Sequence, residues 1–262
     1  MEYEVYAIRY AHHERRAAEN FLGGDPHDAP MPLDYFIWAI TGGGKSYIVD
    51  TGFGAEQARL RKRELLRAPT EGLAAIGIDP AKVEDVIITH MHYDHAGGLD
   101  LFPNARFHIQ DREMAFCTGR SMCHDAFSHS LAADDVVGVV RRLFAGRVRF
   151  HDGDEEIAPG VSLHFIGGHT MGLQCVRVMT RHGAVVLASD AAHLYAHLEQ
   201  GRAYPVVYNV AEMLEGHATL KRLAASSRHI IPGHDPLVAK RYPAARADLE
   251  SVVMRLDAEP AN

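Results

Sequence analysis

The stretch Thr89-His90-Met91-His92-Tyr93-Asp94-His95 holds three imidazoles and one carboxylate within six residues. It follows an apolar run, Val86-Ile87-Ile88. Neutral imidazole and carboxylate are the common protein ligands of zinc, iron and manganese. In an extended chain, residues two apart point the same way, so His90 and His92 at a strand end can grip one ion. If the chain then turns helical, Asp94 and His95 swing away from that pair. One segment can thus feed two adjacent metal positions. Gly97-Gly98 follows, as a tight turn with close backbone packing requires. The plain alternative is a solvated histidine-rich loop, and three further ligand-like positions argue against it. Each ends a β-rich run: His169 after Leu163–Gly168, Asp190 after Val185–Ser189, His234 after His229–Gly233. Loops at strand ends of a rigid scaffold are where functional side chains concentrate.

The elements that must position these residues are legible as short strands and helices. Strands are expected at Tyr3–Tyr10, Leu33–Ile40, Ser46–Val49, Val83–Thr89 and Arg106–Ile109, then at 148–150, 161–165, 173–179, 184–188 and 228–231. Asp50 ends a strand, and such an Asp usually braces a neighbouring loop through hydrogen bonds. Helices are expected at Gln57–Arg67, Glu71–Ile76, Gly97–Phe102, Arg112–Thr118, Ala132–Phe144 and Asn209–Ala225, with Asn209 as N-cap. Ser121–Ser130 reads as irregular, and Ala244–Leu256 as a closing helix. Strands and helices followed by strands and helices again suit a two-sheet sandwich with helices outside.

The totals are compatible with this. The chain has 262 residues, 47% hydrophobic and 23% charged, enough for a real core. Its net charge of −7 argues against a nucleic-acid surface. Eighteen histidines are many. Cys117, Cys123 and Cys175 are odd in number without a CxxC, as expected of reduced thiols in the cytoplasm. The start Met1-Glu2-Tyr3-Glu4 lacks the form of a signal peptide, and no apolar run approaches the ~20 residues that span a membrane. Residues 1–262 read as one domain, with residues 111–145 a helical cap that walls the substrate.

The motifs His90-Met91-His92-Tyr93-Asp94-His95, Gly168-His169-Thr170, Ser189-Asp190 and Pro232-Gly233-His234, in that order, resemble those of the metallo-β-lactamase superfamily. The resemblance implies an α/β (α+β) fold, the αββα sandwich of two mixed sheets flanked by helices, with two metals at one edge. By position it implies that His90, His92 and His169 hold the first metal, that Asp94, His95 and His234 hold the second, and that Asp190 bridges them. Zinc is expected, although iron, manganese and cobalt suit the same ligands. Within the superfamily the likeness is greatest to the N-acyl homoserine lactonases, which share the HxHxDH-Ala-Gly-Gly form and are often dimers. Those carry a Tyr three residues after the bridging Asp, aimed at the substrate carbonyl. Here His193 stands there and Tyr195 two further on, so either is a candidate donor. Met171 follows Gly-His-Thr where many relatives have Pro or a small residue.

The implied chemistry is lactone opening by a hydroxide shared between two ions, with Asp94 or Asp190 shuttling a proton to the leaving alkoxide. His193 or Tyr195 would hydrogen-bond the oxyanion. Phe21, Met31, Phe116, Met122 and Phe127, with the His124–His129 region, are candidates for an apolar mouth, as are Tyr204, Pro205 and Tyr208. Rival readings are another esterase, a glyoxalase II-like thioesterase, a β-lactamase and a mono-iron persulfide dioxygenase. Flavodiiron proteins, nucleases and a non-catalytic module fit less well: flavodiiron proteins replace a ligand His with an acid, nucleases need a basic track, and all seven ligands are intact.

Overall fold

In the computed structural model, which describes residues 2–261, thirteen strands are present among the described residues. The first seven are β1 (Glu4–His13), β2 (Leu33–Gly42), β3 (Lys45–Val49), β4 (Glu64–Leu65), β5 (Asp85–Ile87), β6 (Arg106–Gln110) and β7 (Val148–His151). The rest are β8 (Glu155–Ala158), β9 (Val161–Phe165), β10 (Gln174–Thr180), β11 (Gly183–Ser189), β12 (Ile230–Pro232) and β13 (Val253–Arg255). One sheet has the order β13-β1-β2-β3-β5-β6-β7, with β4 paired to β1. The other has the order β12-β11-β10-β9-β8. The first is parallel from β3 to β7 and the second is parallel only at β11–β12.

β2 explains the layering. Every residue from Leu33 to Ile40 is buried, because both faces of the strand are covered. Tyr35, Ile37 and Ala39 face a core shared with Ala58, Leu73 and Val139 of the helices Ala55–Arg61, Pro69–Ala75 and Ala133–Phe144. Phe36, Trp38 and Ile40 face the other sheet, where Val176, Val185 and Leu187 meet them. Val186 and Ala188 of β11 then turn outward onto Leu198 and Leu220 of the helices Tyr195–Gln200 and Val210–Leu223. The result is helix, sheet, sheet, helix: the expected sandwich of two mixed sheets flanked by helices. Strands β3, β5, β9, β11 and β12 run into Asp50, the 89–95 stretch, His169, Asp190 and His234.

Two expected elements differ. The closing helix Ala244–Leu256 does not form. A 3-10 turn at Ala247–Leu249 leads into β13, which pairs antiparallel with β1 at Tyr6↔Arg255 and Ile8↔Val253. Val253 enters the helix-side core and Met254 the inter-sheet core, a period of two that a helix cannot satisfy. The strand also covers the edge of β1, whose N–H and C=O groups would otherwise be unpaired. The helix expected to reach Arg67 ends at Arg61 on a left-handed Lys62 (φ 55), and β4 returns to pair with β1 at His12↔Glu64. Ser121–Ser130 is built of two short turns, Arg120–Cys123 and Asp125–Ser128. Asn209 does cap its helix, its Oδ1 accepting from the N–H groups of Ala211 and Glu212. Among the described residues, no helix is long and apolar enough to cross a membrane.

Trp38 is fully buried between the sheets, whereas Phe144, at the end of its helix, is 88% exposed. Urea denaturation of Trp38→Ala should therefore show a loss of about 3–5 kcal/mol. Phe144→Ala should stay within about 0.5 kcal/mol of the parent. Equal losses would contradict this layering.

Candidate metal centre

After β5 the chain bends at Thr89, and an extended His92 leads into one helical turn at Tyr93–Ala96. His90 and His92 thus face one way, and Asp94 and His95 another. The turn packs hard against the Asp50–Gly52 bend: a Cβ on Gly98 would meet Thr51 O at 2.4 Å. Three groups close enough to hold a metal ion result. They are His90, His92, His169 and Asp190; Asp94, His95 and His234; and Asp190, His193 and His234.

In the first group, His169 Nε2 lies 3.2 Å from His90 Nε2 and 2.9 Å from His92 Nδ1. Asp190 Oδ2 is 3.3 Å from His169 Nε2 and 3.8 Å from His90 Nε2. In the second, Asp94 Oδ2 is 3.4 Å from His95 Nε2 and 3.5 Å from His234 Nε2. Asp190 Oδ1 is 3.3 Å from the former and 3.1 Å from the latter. Ligands at zinc distances in tetrahedral array sit about 3.3 Å apart, so both sets fit one ion each. Asp190 turns one oxygen to each set.

Hydrogen bonds behind the rings fix which nitrogen points inward. His169 Nδ1 donates to Val206 O at 2.7 Å, and His234 Nδ1 to Asp34 O at 3.0 Å. His95 Nδ1 donates to Asp50 Oδ2 at 2.7 Å. Each Nε2 then presents a lone pair to the centre, as metal-ligating histidines do. His95 Nε2 and Asp190 Oδ1 are buried without a hydrogen-bond partner among the described residues. Buried lone pairs facing one another are unfavourable without positive charge between them. The donor set therefore fits the expected ions.

Electrostatics agree. Burial pushes His90, His92 and His169 down, so they are neutral imidazoles. Burial opposes the charged form of His95 and His234 too, but the carboxylates of Asp190 and Asp94 raise both. Burial likewise works against the carboxylates, and the neighbouring histidines nevertheless hold Asp94 and Asp190 low. The second set is a buried nest of carboxylates that needs cations.

Two carboxylates behind the ligands hold the loops. Asp50 sits in left-handed backbone (φ 61) and accepts from Thr89 N and Thr89 Oγ1, both at 2.8 Å, besides His95. It is the brace expected from the sequence. Glu113 was not foreseen. From the helix Asp111–Cys117 it accepts from Met91 N at 2.8 Å, Thr170 Oγ1 at 2.6 Å and Gly172 N at 3.0 Å. It ties the His90–His92 loop to the His169 loop, while burial pushes its carboxyl up to about 6. Its sequence signal is an acid on the helix face of Phe116 and Cys117, three and four residues on, where all three are buried.

The two candidate carbonyl donors part company. His193 joins the centre, with Nε2 2.9 Å from Asp190 Oδ2 and its ring stacked on Tyr204 at 3.6 Å. Burial pushes it down to about 3, so it carries one N–H, and Asp190 takes it. Tyr195 does not join. Its ring packs in the inter-sheet core with Val238 and Tyr242, under the Arg241 guanidinium. Starting its helix at Tyr195 turns the side chain away from Asp190. A cavity of about 70 Å³ opens over the donors. The expected apolar mouth does not line it: Phe21, Met31, Phe116, Met122 and Phe127 are absent from its walls. Phe116, Phe127 and Tyr208 instead pack on one another, with ring centroids 5.5–5.9 Å apart. Ser130 is the one wall residue from 111–145, and Arg15, Leu33, Arg63 and Val206 join it.

Residues 31–234 match the metallo-beta-lactamase superfamily. The N-acyl homoserine lactonase AttM of Azorhizobium caulinodans is 28% identical over 173 residues, 62% of this chain and 62% of that protein. The chain thus matches about three fifths of that relative's length. A solved quorum-quenching N-acyl homoserine lactone lactonase superposes with a TM-score of 0.74 at 21% identity, over 90% of this chain and 93% of the other. AidC, a dizinc quorum-quenching lactonase, gives 0.69 at 17% identity, over 90% and 88%. At such identities the likeness is one of fold.

Asp50→Ala would leave His95 Nδ1 and Thr89 N without their acceptor. Metal titration should show one of two ions weakened about 10- to 100-fold. Unchanged affinity for both would mean that Asp50 braces the loop without orienting His95.

Proposed function

Because the chain belongs to the metallo-beta-lactamase superfamily, we propose that it is a dinuclear metal-dependent hydrolase that opens lactone rings, with N-acyl homoserine lactones as the reference substrates. The observation that carries this is the Asp190 carboxylate, with one oxygen toward each set of donors. In this reading His90, His92 and His169 hold one ion, and Asp94, His95 and His234 the other, with Asp190 shared. Zinc is the first choice, and iron, manganese and cobalt suit the same ligands. Two such ions, when bound, would bring the pKa of water toward neutral and polarise an ester carbonyl.

The chain's own groups divide the remaining work. Asp94 lines the cavity, and unlike Asp190 it faces only one set of donors. It takes the proton released by attacking water and passes it to the leaving alkoxide, which becomes the hydroxyl of the opened product. His193 spends its N–H on Asp190, so it acts as a positioning residue rather than as a donor to the substrate carbonyl. Tyr195, in the inter-sheet core, has no part in the chemistry. No side-chain nucleophile is required. Ser189 Oγ is bonded to Thr89 Oγ1 at 2.8 Å, and Cys117 and Cys175 are buried thiols. The lactonase relatives support a small-molecule ester substrate. Cytoplasmic action and a homodimer complete the reading.

The test is proton release by zinc-loaded protein on short- and long-chain acyl homoserine lactones and simple γ- and δ-lactones, with nitrocefin and a glutathione thioester as controls. Lactone turnover should require about two ions per chain and fall to background in His90→Ala. Thioester or β-lactam turnover without lactone turnover would refute the lactonase reading and leave a hydrolase. Turnover at one iron per chain with oxygen uptake would refute hydrolysis.

A further inference from the structure

Two arginines line the cavity over the metal donors, in a chain whose net charge is −7. They come from segments that β4 brings together: its pairing to β1 at His12↔Glu64 sets Arg63 beside His13, two residues from Arg15. Both side chains are only partly exposed. Arg63 donates from Nε to Tyr93 Oη at 3.1 Å and from Nη1 to Arg61 O at 2.6 Å. Among the described residues no carboxylate lies within 4 Å of it, and its Nη2 is uncommitted. Arg15 donates from Nη2 to Glu19 O at 2.7 Å. Its one carboxylate neighbour, Glu19, is 4.0 Å away on a side chain 53% exposed.

Structural duties thus occupy one side of Arg63 and leave the other to the cavity. Asp94 makes no ion pair with it within 4 Å, and Asp94 Oδ2 faces His95 and His234. Two like charges held at one partly dry mouth are unfavourable unless an anion comes between them. A guanidinium's planar donors match a carboxylate's two oxygens. Leu33 and Val206 are the aliphatic walls of the same mouth.

We propose that Arg15 and Arg63 form a carboxylate-binding subsite at the mouth of the metal centre, and that the preferred substrate is a lactone bearing a carboxylate. The substrate part rests on the lactonase reading of the same site. The subsite itself does not.

The experiment compares γ-butyrolactone carrying a γ-carboxylate with its neutral γ-carboxamide, on zinc-loaded protein and on Arg63→Gln, Arg63→Lys and Arg15→Gln. Calorimetric binding of the two ring-opened products runs beside it, and thermal melting excludes variants that do not fold. The parent should favour the carboxylate at least about 10-fold in kcat/KM, mainly through KM. That ratio should fall toward 1 in each Gln variant and partly recover in Arg63→Lys, as expected for a charged hydrogen bond. Added salt should slow the carboxylate substrate more than the amide. Equal rates on both lactones, or a ratio that survives in both folded Gln variants, would overturn the proposal and leave the lactonase reading intact. If neither lactone turns over, the acyl homoserine lactone assay decides the lactonase reading, and binding decides the subsite alone. Tighter binding of the dicarboxylate product, lost in Arg63→Gln or Arg15→Gln, would sustain it. Equal binding of both products would end it.

Discussion

Lone pairs held facing one another out of water are the constraint on which this structure depends. Three neutral imidazoles converge on one point, and two imidazoles with Asp94 converge on a second. Asp190 stands between, fully enclosed. Three of these rings are held from behind, because Val206, Asp34 and Asp50 accept from the outer nitrogens of His169, His234 and His95. Positive charge is the only occupant that relieves such an arrangement. The carboxylates of Asp94 and Asp190 favour positive charge at His95 and His234, and an ion at the second position would supply that charge in place of a proton.

The rigidity this requires comes from the sandwich. Each set takes donors from both sheets, so the spacing of the sheets at one edge governs how closely its donors converge. Trp38, Phe36, Val176 and Leu187 set that distance by filling the space between. Glu113 then fastens the loop after β5 to the loop after β9, one strand end from each sheet. Left-handed backbone at Asp50 and Ser189 is tolerated because hydrogen bonds through Thr89 over-determine both turns.

The ligand stretch was legible because its information is local. A two-residue repeat at a strand end followed by a helical turn sorts His90 and His92 from Asp94 and His95 with no knowledge of the fold. Most strands were legible for the same reason, β2 among them. What sequence reading missed depends on partners far along the chain. Val252, Val253, Met254 and Leu256 satisfy a helical or an extended pattern equally, and only the open edge of β1 decides between them. Tyr195 looked equivalent to His193 until the start of its helix turned it into the core. Arg15 and Arg63 carry no local signal, since forty-odd residues separate them and the pairing of β4 with β1 unites them.

Trp38 is the chain's single tryptophan, and its indole lies wholly between the sheets. Its Nε1 has no hydrogen-bond partner among the described residues. The protein therefore carries one tryptophan fluorophore, selectable by excitation near the red edge of absorption, in a dry, apolar setting remote in character from the histidine edge. Its emission reports whether the two sheets stay together. Absorbance of a spectroscopic metal such as cobalt reports the edge. Two colours of light thus separate opening of the sandwich from emptying of the centre, events that a melting curve alone would merge.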